Sequence, residues 1–202
     1  MAENLIIFNA RVVTPVGFSA RRGREMGELC VMDNATVEVT DGIITYVGKN
    51  RGEERDGYYQ HYWHYNARGK CLLPGFVDSH THFLFGGYRE KVFSERLKKN
   101  HSLSPVEYSE DVLGTVSATR SCDFEQLWEA GYERLDEMFN MGVTTVEGKS
   151  GYGLDFDTEL KQLRVMADLN DEHPMDVVST YFGGHVTPSE YTHQTDDYIT
   201  YM

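Results

Sequence analysis

Three cysteines, five prolines and 19 basic residues are few for a chain of 202 residues, and each scarcity excludes something. Cys30, Cys71 and Cys122 are odd in number, widely spaced and form no Cys-x-x-Cys pair. They read as reduced thiols of a cytosolic protein rather than a disulfide framework. None has the basic neighbourhood that marks a reactive thiolate. The 19 Lys and Arg stand against 32 Asp and Glu, a formal net charge of −13. A nucleic-acid surface needs clustered cations to replace counterions, so no nucleic-acid partner is expected. No run of ~18 apolar residues is present, which excludes a spanning helix and a membrane partner. The N-terminal Met-Ala-Glu-Asn-Leu-Ile-Ile-Phe lacks the basic region and the long apolar stretch of a secretory signal. At 40% hydrophobic and 25% charged residues, the chain can bury a core. An acidic, globular, cytoplasmic protein is the expectation.

Residues 1–74 read as a small β-rich domain. Asn4–Phe8 and Arg11–Thr14 are β-like and flank an Asn-Ala turn, while Ala35–Thr40 and Ile43–Val47 flank Asp41-Gly42, a hairpin signal. Gly48–Gly69 is polar and rich in Tyr and His, which suggests a loop or irregular hairpin. From Pro74 the pattern changes. Phe76–Phe83 reads as a strand and Gly86-Gly87 as a turn. Phe124–Met141 has helical spacing, with Phe124, Leu127, Trp128, Leu135, Met138 and Phe139 on one face. Val143–Glu147 is a strand, Thr158–Asn170 a helix with Leu160, Leu163, Val165, Met166 and Leu169, and Asp176–Phe182 a strand. Alternating strands and helices predict parallel βα units over residues 75–202, about three of them. Ligands of such folds bind beyond the C-terminal strand ends, here Ser79–Phe85, Glu147–Gly153 and Phe182–Val186.

The sharpest chemistry is His80-Thr81-His82. If the strand alternates regularly, Phe76, Asp78, His80 and His82 share a side, and two imidazoles one pleat apart can both reach a single metal ion. Two ligands fall short of the three or four such a site takes. His185, at the end of the third strand, is a candidate for the same cavity or a loop histidine bonded to backbone. His61, His64, His101, His173 and His193 read as solvent or packing residues. Gly148-Lys149-Ser150 is not a phosphate loop: five residues separate it from Gly142 where four are required, and they read as a strand. Gly151 and Gly153 could instead let the backbone around Tyr152 approach a ligand, or form a plain βα turn. Arg89 could grip a carboxylate bidentately or pair with Glu90. Glu147 could be a base, with a structural carboxylate as the default. No Gly-x-Ser-x-Gly elbow or other nucleophile arrangement is present.

These segments together resemble the amidohydrolase superfamily and, within it, the imidazolonepropionase family. Leu73-Pro-Gly-Phe-Val-Asp-Ser-His-Thr-His82 and Val39-Thr-Asp-Gly-Ile-Ile-Thr-Tyr-Val-Gly48 carry the broader likeness. The narrower one rests on Phe85-Gly-Gly-Tyr-Arg-Glu90, Ser117-Ala-Thr-Arg120, Gly142-Val-Thr-Thr-Val-Glu-Gly-Lys-Ser-Gly-Tyr-Gly-Leu-Asp155, Thr158–Val165 and Gly183-Gly-His-Val-Thr-Pro188. The stretch Asn100–Gly114 departs from the family's usual Tyr and Gly-Gly-Gly run. The resemblance implies an α/β fold, a partial TIM-like (β/α) barrel with an N-terminal small β domain. It implies one metal ion, Zn or Fe, held in part by His80 and His82, and a carboxylate-bearing substrate contacted by Arg89, Tyr152 and His185. The implied reaction is hydrolytic opening of the ring of 4-imidazolone-5-propanoate in histidine degradation. A third His ligand, a catalytic Glu and a metal-binding Asp would then lie beyond Met202, making this an N-terminal half. The alternatives are an incomplete, non-catalytic half that dimerises or needs a complementing C-terminal half, and a related cyclic-amide hydrolase or deaminase.

Overall fold

The computed structural model describes residues 4–17, 19–51, 59–88, 93–94, 97–98, 105–184 and 186–202, with side chains from residue 112 onward in the helix that begins at 105. The chain divides into two compact units, Met1–Pro74 and Gly75–Met202.

In the first unit, β1 (Leu5–Pro15), β2 (Leu29–Thr40), β3 (Ile43–Lys49) and β4 (Trp63–Asn66) form a sheet in the order β3-β2-β1-β4, and the short β5 (Cys71–Leu72) also pairs with β1. The hairpin at Asp41-Gly42 forms as expected. Both residues have positive φ, 52° and 79°, and Thr40 pairs with Ile43, a two-residue turn whose twist matches its strands. The Asn9-Ala10 turn does not form. Asn9 does adopt a left-handed φ of 54°, but β1 runs straight through it, with register shifts on either side of Ala10. Some bulges and some turns both use such a φ, and the residue type alone does not separate them. Bonds from Asn50 Nδ2 to Asn9 Oδ1 (2.7 Å) and from Asn9 Nδ2 to Asn66 Oδ1 (3.2 Å) hold the bulge. Gly48–Gly69 is likewise not simply a loop or hairpin, because β4 lies within it and runs parallel to β1. Alternating Ile6, Phe8, Ala10 and Val12 on β1 are buried, with Ala35, Val37 and Ala67 completing the larger cluster around Ala10 and Val12.

The second unit is built on a parallel sheet, β6 (Phe76–Thr81), β7 (Val143–Lys149) and β8 (Asp176–Thr180), in that order. Helices α1 (Pro105–Ser121), α2 (Phe124–Asn140), α3 (Phe156–Glu172) and α4 (Thr195–Tyr201) accompany it. Asp123 starts α2 with a capping box, accepting from Gln126 N–H (2.8 Å) while Gln126 Oε1 accepts from Asp123 N–H (3.0 Å). Asp155 caps α3 by accepting from Thr158 N–H (2.8 Å), so this helix begins two residues before the expected Thr158. Leu127 and Leu135 of α2 pack with Val165, Met166 and Leu169 of α3 on Val146 and Val177 of the sheet. Phe124 and Phe139 are not in this core. Both are exposed, and Phe139 instead meets the edge of the buried His173 ring. His173 is a packing residue, as expected, and also bonds Asp136 (3.3 Å). Leu160 and Leu163 are half-buried, and the stripe of α3 that is buried contains Thr158, Glu159 and Gln162 instead. Val77 and Val178 are exposed on the sheet.

Sequence reading assigned nothing to α1. Its sequence carries Gly114 and several Ser and Thr without a clear apolar stripe, so neither propensity nor periodicity announces it. Val112 and Val116 on its second half nonetheless pack with Leu154 and Tyr198. Among the described residues, no helix is long and apolar enough to cross a membrane.

Candidate active site at the strand ends

His80 lies in β6, which ends at Thr81, so His82 belongs to the extended segment that follows rather than to the strand. The pairing of β6 with β7 is irregular between Asp78 and Thr81, and Asp78 Oδ1 accepts from His80 N–H at 3.3 Å. The regular ladder that the alternation of Phe76, Asp78, His80 and His82 assumed is thus interrupted in this stretch. The two imidazoles are still neighbours, with ring centroids 6.0 Å apart. Aromatic rings close around His82: Tyr152 at 5.4 Å and Phe182 at 5.6 Å, with Phe85 5.9 Å beyond Tyr152. Three segments, one from each strand end, thus converge. Arg89 and His185 lie outside the described residues.

Each residue of Lys149-Ser-Gly-Tyr-Gly153 has a distinct task. Lys149 closes β7, and its ammonium donates to Glu147 Oε1 (2.6 Å), which also accepts from Thr180 Oγ1 on β8 (2.8 Å). Hydrogen bonds from Lys149 and Thr180 hold the Glu147 carboxyl below the usual carboxylate range, with the charges of Lys149 and His80 assisting. The default reading of Glu147 as a structural carboxylate agrees with these bonds. Ser150 is buried and ties two strand ends together: its N–H donates to Thr180 O (3.0 Å) and its Oγ accepts from Phe182 N–H (2.9 Å). Gly151 has φ +110°, which a side chain rarely adopts. A Cβ on Gly153 would sit 2.7 Å from Glu159 N, so only glycine lets the loop close on α3.

Residues that sequence reading missed hold the surrounding loops. The Arg134 guanidinium donates to Phe83 O (2.9 Å), Phe85 O (2.8 Å) and Gly87 O (3.3 Å) and lies over the Phe85 ring at 3.8 Å. Burial pulls its pKa down, opposed by the nearby Tyr88. Gln162 Nε2 donates to Leu84 O (2.8 Å). Arg120 Nε donates to Gly153 O (2.7 Å), and the same guanidinium pairs with Asp155 (2.8 Å) and Glu190 (2.7 Å). Only Gln162 left a readable signal, as a polar residue on the buried stripe of an amphipathic helix.

Tyr198 donates its hydroxyl to Leu154 O (3.3 Å). Burial, and then the charge of Glu159, push its pKa up to about 12. A tyrosine with a raised pKa contributes its stability in full below its ordinary value of about 10 and loses it as pH rises through the folded value. Thermal unfolding followed from pH 9 to 12 should therefore show a falling midpoint that Tyr198→Phe partly flattens. An identical slope in the variant would refute the assignment. The flattening is partial because Tyr181 is also shifted upward by burial and Glu159.

No family model matches the chain. Curated relatives do. An imidazolonepropionase of Bacteroides thetaiotaomicron is 61% identical over 204 residues, covering 100% of this chain and 49% of the relative. Over its full length the chain is homologous to part of the imidazolonepropionases. A more distant relative, the imidazolonepropionase of Clostridium tetani, is 44% identical over 98% of the chain and 48% of its own length. The chain thus spans about half the length of the curated imidazolonepropionases it matches. Among solved structures, the E. coli guanine deaminase superposes with a TM-score of 0.59 at 15% identity, covering 97% of this chain and 43% of that one. At that identity the likeness concerns the fold alone. The α/β architecture is that of a partial (β/α) barrel preceded by a small β unit, in keeping with the family resemblance.

Proposed function

We propose that this imidazolonepropionase-family chain carries part of the active site of a metal-dependent hydrolase that opens the ring of 4-imidazolone-5-propanoate to N-formimidoyl-L-glutamate. The observation that supports it best is the His80–His82 pair ringed by Tyr152 and Phe182 at the ends of three parallel strands. Two imidazoles suit Zn or Fe and supply part of the three or four ligands such a site takes. Among the described residues, no group of three or more His, Cys, Asp or Glu could hold a metal ion, so the remaining donors come from outside them. A bound ion would supply Lewis acidity toward water and the ring carbonyl.

This chain's own residues bind and orient. Arg89 takes the propanoate carboxylate, the Tyr152 ring and hydroxyl border the heterocycle, and His185 contacts the substrate. The reaction adds one water: its oxygen joins the ring carbonyl carbon, the carbon–nitrogen bond breaks, and the departing nitrogen takes a proton. The acidic balance, 19 Lys and Arg against 32 Asp and Glu, fits a cytoplasmic enzyme of small molecules. The missing donors would come from the remainder of the protein, as a complementing half, or from a second copy.

The test uses the protein completed to the length of its relatives. Elemental analysis should find close to one Zn or Fe per site, and mass spectrometry should find N-formimidoyl-L-glutamate from the imidazolone. Turnover of cyclic amides lacking a carboxylate, with none of the propanoate, would overturn the substrate assignment in favour of another cyclic-amide hydrolase or deaminase.

A further inference from the structure

We infer that Glu159 is a positioning residue, which sets the Tyr152 ring against His82 by gripping the backbone on both sides of that tyrosine. The inference rests on the reading of Tyr152 as a substrate-contacting residue and extends it to a side chain on α3. Glu159, in the first turn of α3, is 2% exposed, an unusual setting for a carboxylate. Its two oxygens accept from Gly151 N–H (3.1 and 2.9 Å), Gly153 N–H (2.8 Å) and Leu154 N–H (2.9 Å). These donors bracket Tyr152, whose ring is thereby directed toward His82 and Phe85.

The loop does not sit in a relaxed conformation. Gly151 has φ +110°, and Leu154, a fully buried residue with a Cβ, is held at φ +54°. Non-glycine residues pay for that region and keep it only when their surroundings fix it. Glu159 fixes it through the Leu154 N–H, while Tyr198 holds the same residue's carbonyl. A carboxylate is suited to the task because it only accepts, and every group facing it donates. Glutamine would turn an NH2 toward one of the amide donors.

The experiment compares Glu159→Gln, Tyr152→Ala and the double variant in the completed protein, with Leu169→Ala as a core control remote from the loop. Glu159→Gln should raise KM for the imidazolone about tenfold, the scale of one charge-assisted hydrogen bond, with kcat within about threefold. If Glu159 acts through Tyr152, the double variant should be no worse than Tyr152→Ala alone. Leu169→Ala should lower the unfolding midpoint without moving KM. A Glu159→Gln protein with unchanged KM and a lower midpoint, or effects that multiply in the double variant, would overturn the inference. Should the wild-type protein not turn over the imidazolone, the substrate reading falls while this inference is still decided by NMR. The His82 ring signals of Glu159→Gln should then shift as they do in Tyr152→Ala, and an unshifted His82 would refute the positioning role.

Discussion

In the completed protein, His80→Ala is expected to abolish stoichiometric metal binding and to remove measurable turnover with it. The size of the effect follows from position. Losing a group that only supports a metal ligand costs ~10–100-fold in affinity, and losing the ligand itself costs more. His82→Ala should behave alike, since the two rings are neighbours 6.0 Å apart at one strand end. His64→Ala is the fitting control, because that imidazole is engaged with Tyr59 O at 3.0 Å in the first unit. Elemental analysis of the three purified variants, paired with a product assay, checks the prediction. A His80→Ala protein that keeps one metal ion per site and normal turnover would remove His80 from the proposed metal centre.

The second large effect is expected on stability. Arg134→Ala withdraws one guanidinium from three backbone carbonyls of the segment Phe83–Gly87 and from the face of Phe85. Phe83 is buried, so part of what is lost is compensation for carbonyls that water reaches poorly. Such bonds are not additive, and the total should be about 2–4 kcal/mol. Arg134→Lys should recover little of it, because a single ammonium cannot span three acceptors as a planar fork does. Urea unfolding of the wild type and both variants would measure it. A loss below about 0.5 kcal/mol in Arg134→Ala, within the range of ordinary surface substitutions, would contradict the assignment.

Much of the frame was legible in the residues. Asp41-Gly42 specified its turn, the apolar spacing of Leu127 and Leu135 specified α2, and the β-branched Val143–Val146 specified β7. The failures share a cause. Asn9 announces a left-handed φ but not whether the chain reverses there, because that depends on Asn50 and Asn66, distant in sequence. The irregular pairing of β6 with β7 next to His80 is likewise encoded by no local pattern. At the candidate site the histidines, Tyr152 and the flanking glycines stand out as residue types. The groups that hold them do not, since Arg134, Arg120 and Glu159 resemble any charged residue of a helix until the fold brings backbone to them. Arg89 and His185 drew notice from their places in the sequence, past Gly86-Gly87 and after the third expected strand, and the family resemblance gave them their substrate roles.

The ordering of the parallel sheet also bears on synthesis. Among the described residues β6 and β8 each pair with β7 alone, which gives this segment two bare hydrogen-bonding edges as well as the exposed Val77 and Val178. Such edges pair with whatever extended chain arrives first. A strand supplied by the same polypeptide arrives at a rate independent of concentration, whereas one supplied by another molecule arrives faster as the protein accumulates. The open sheet thus makes yield a kinetic contest, which slow, dilute production favours the native chain to win.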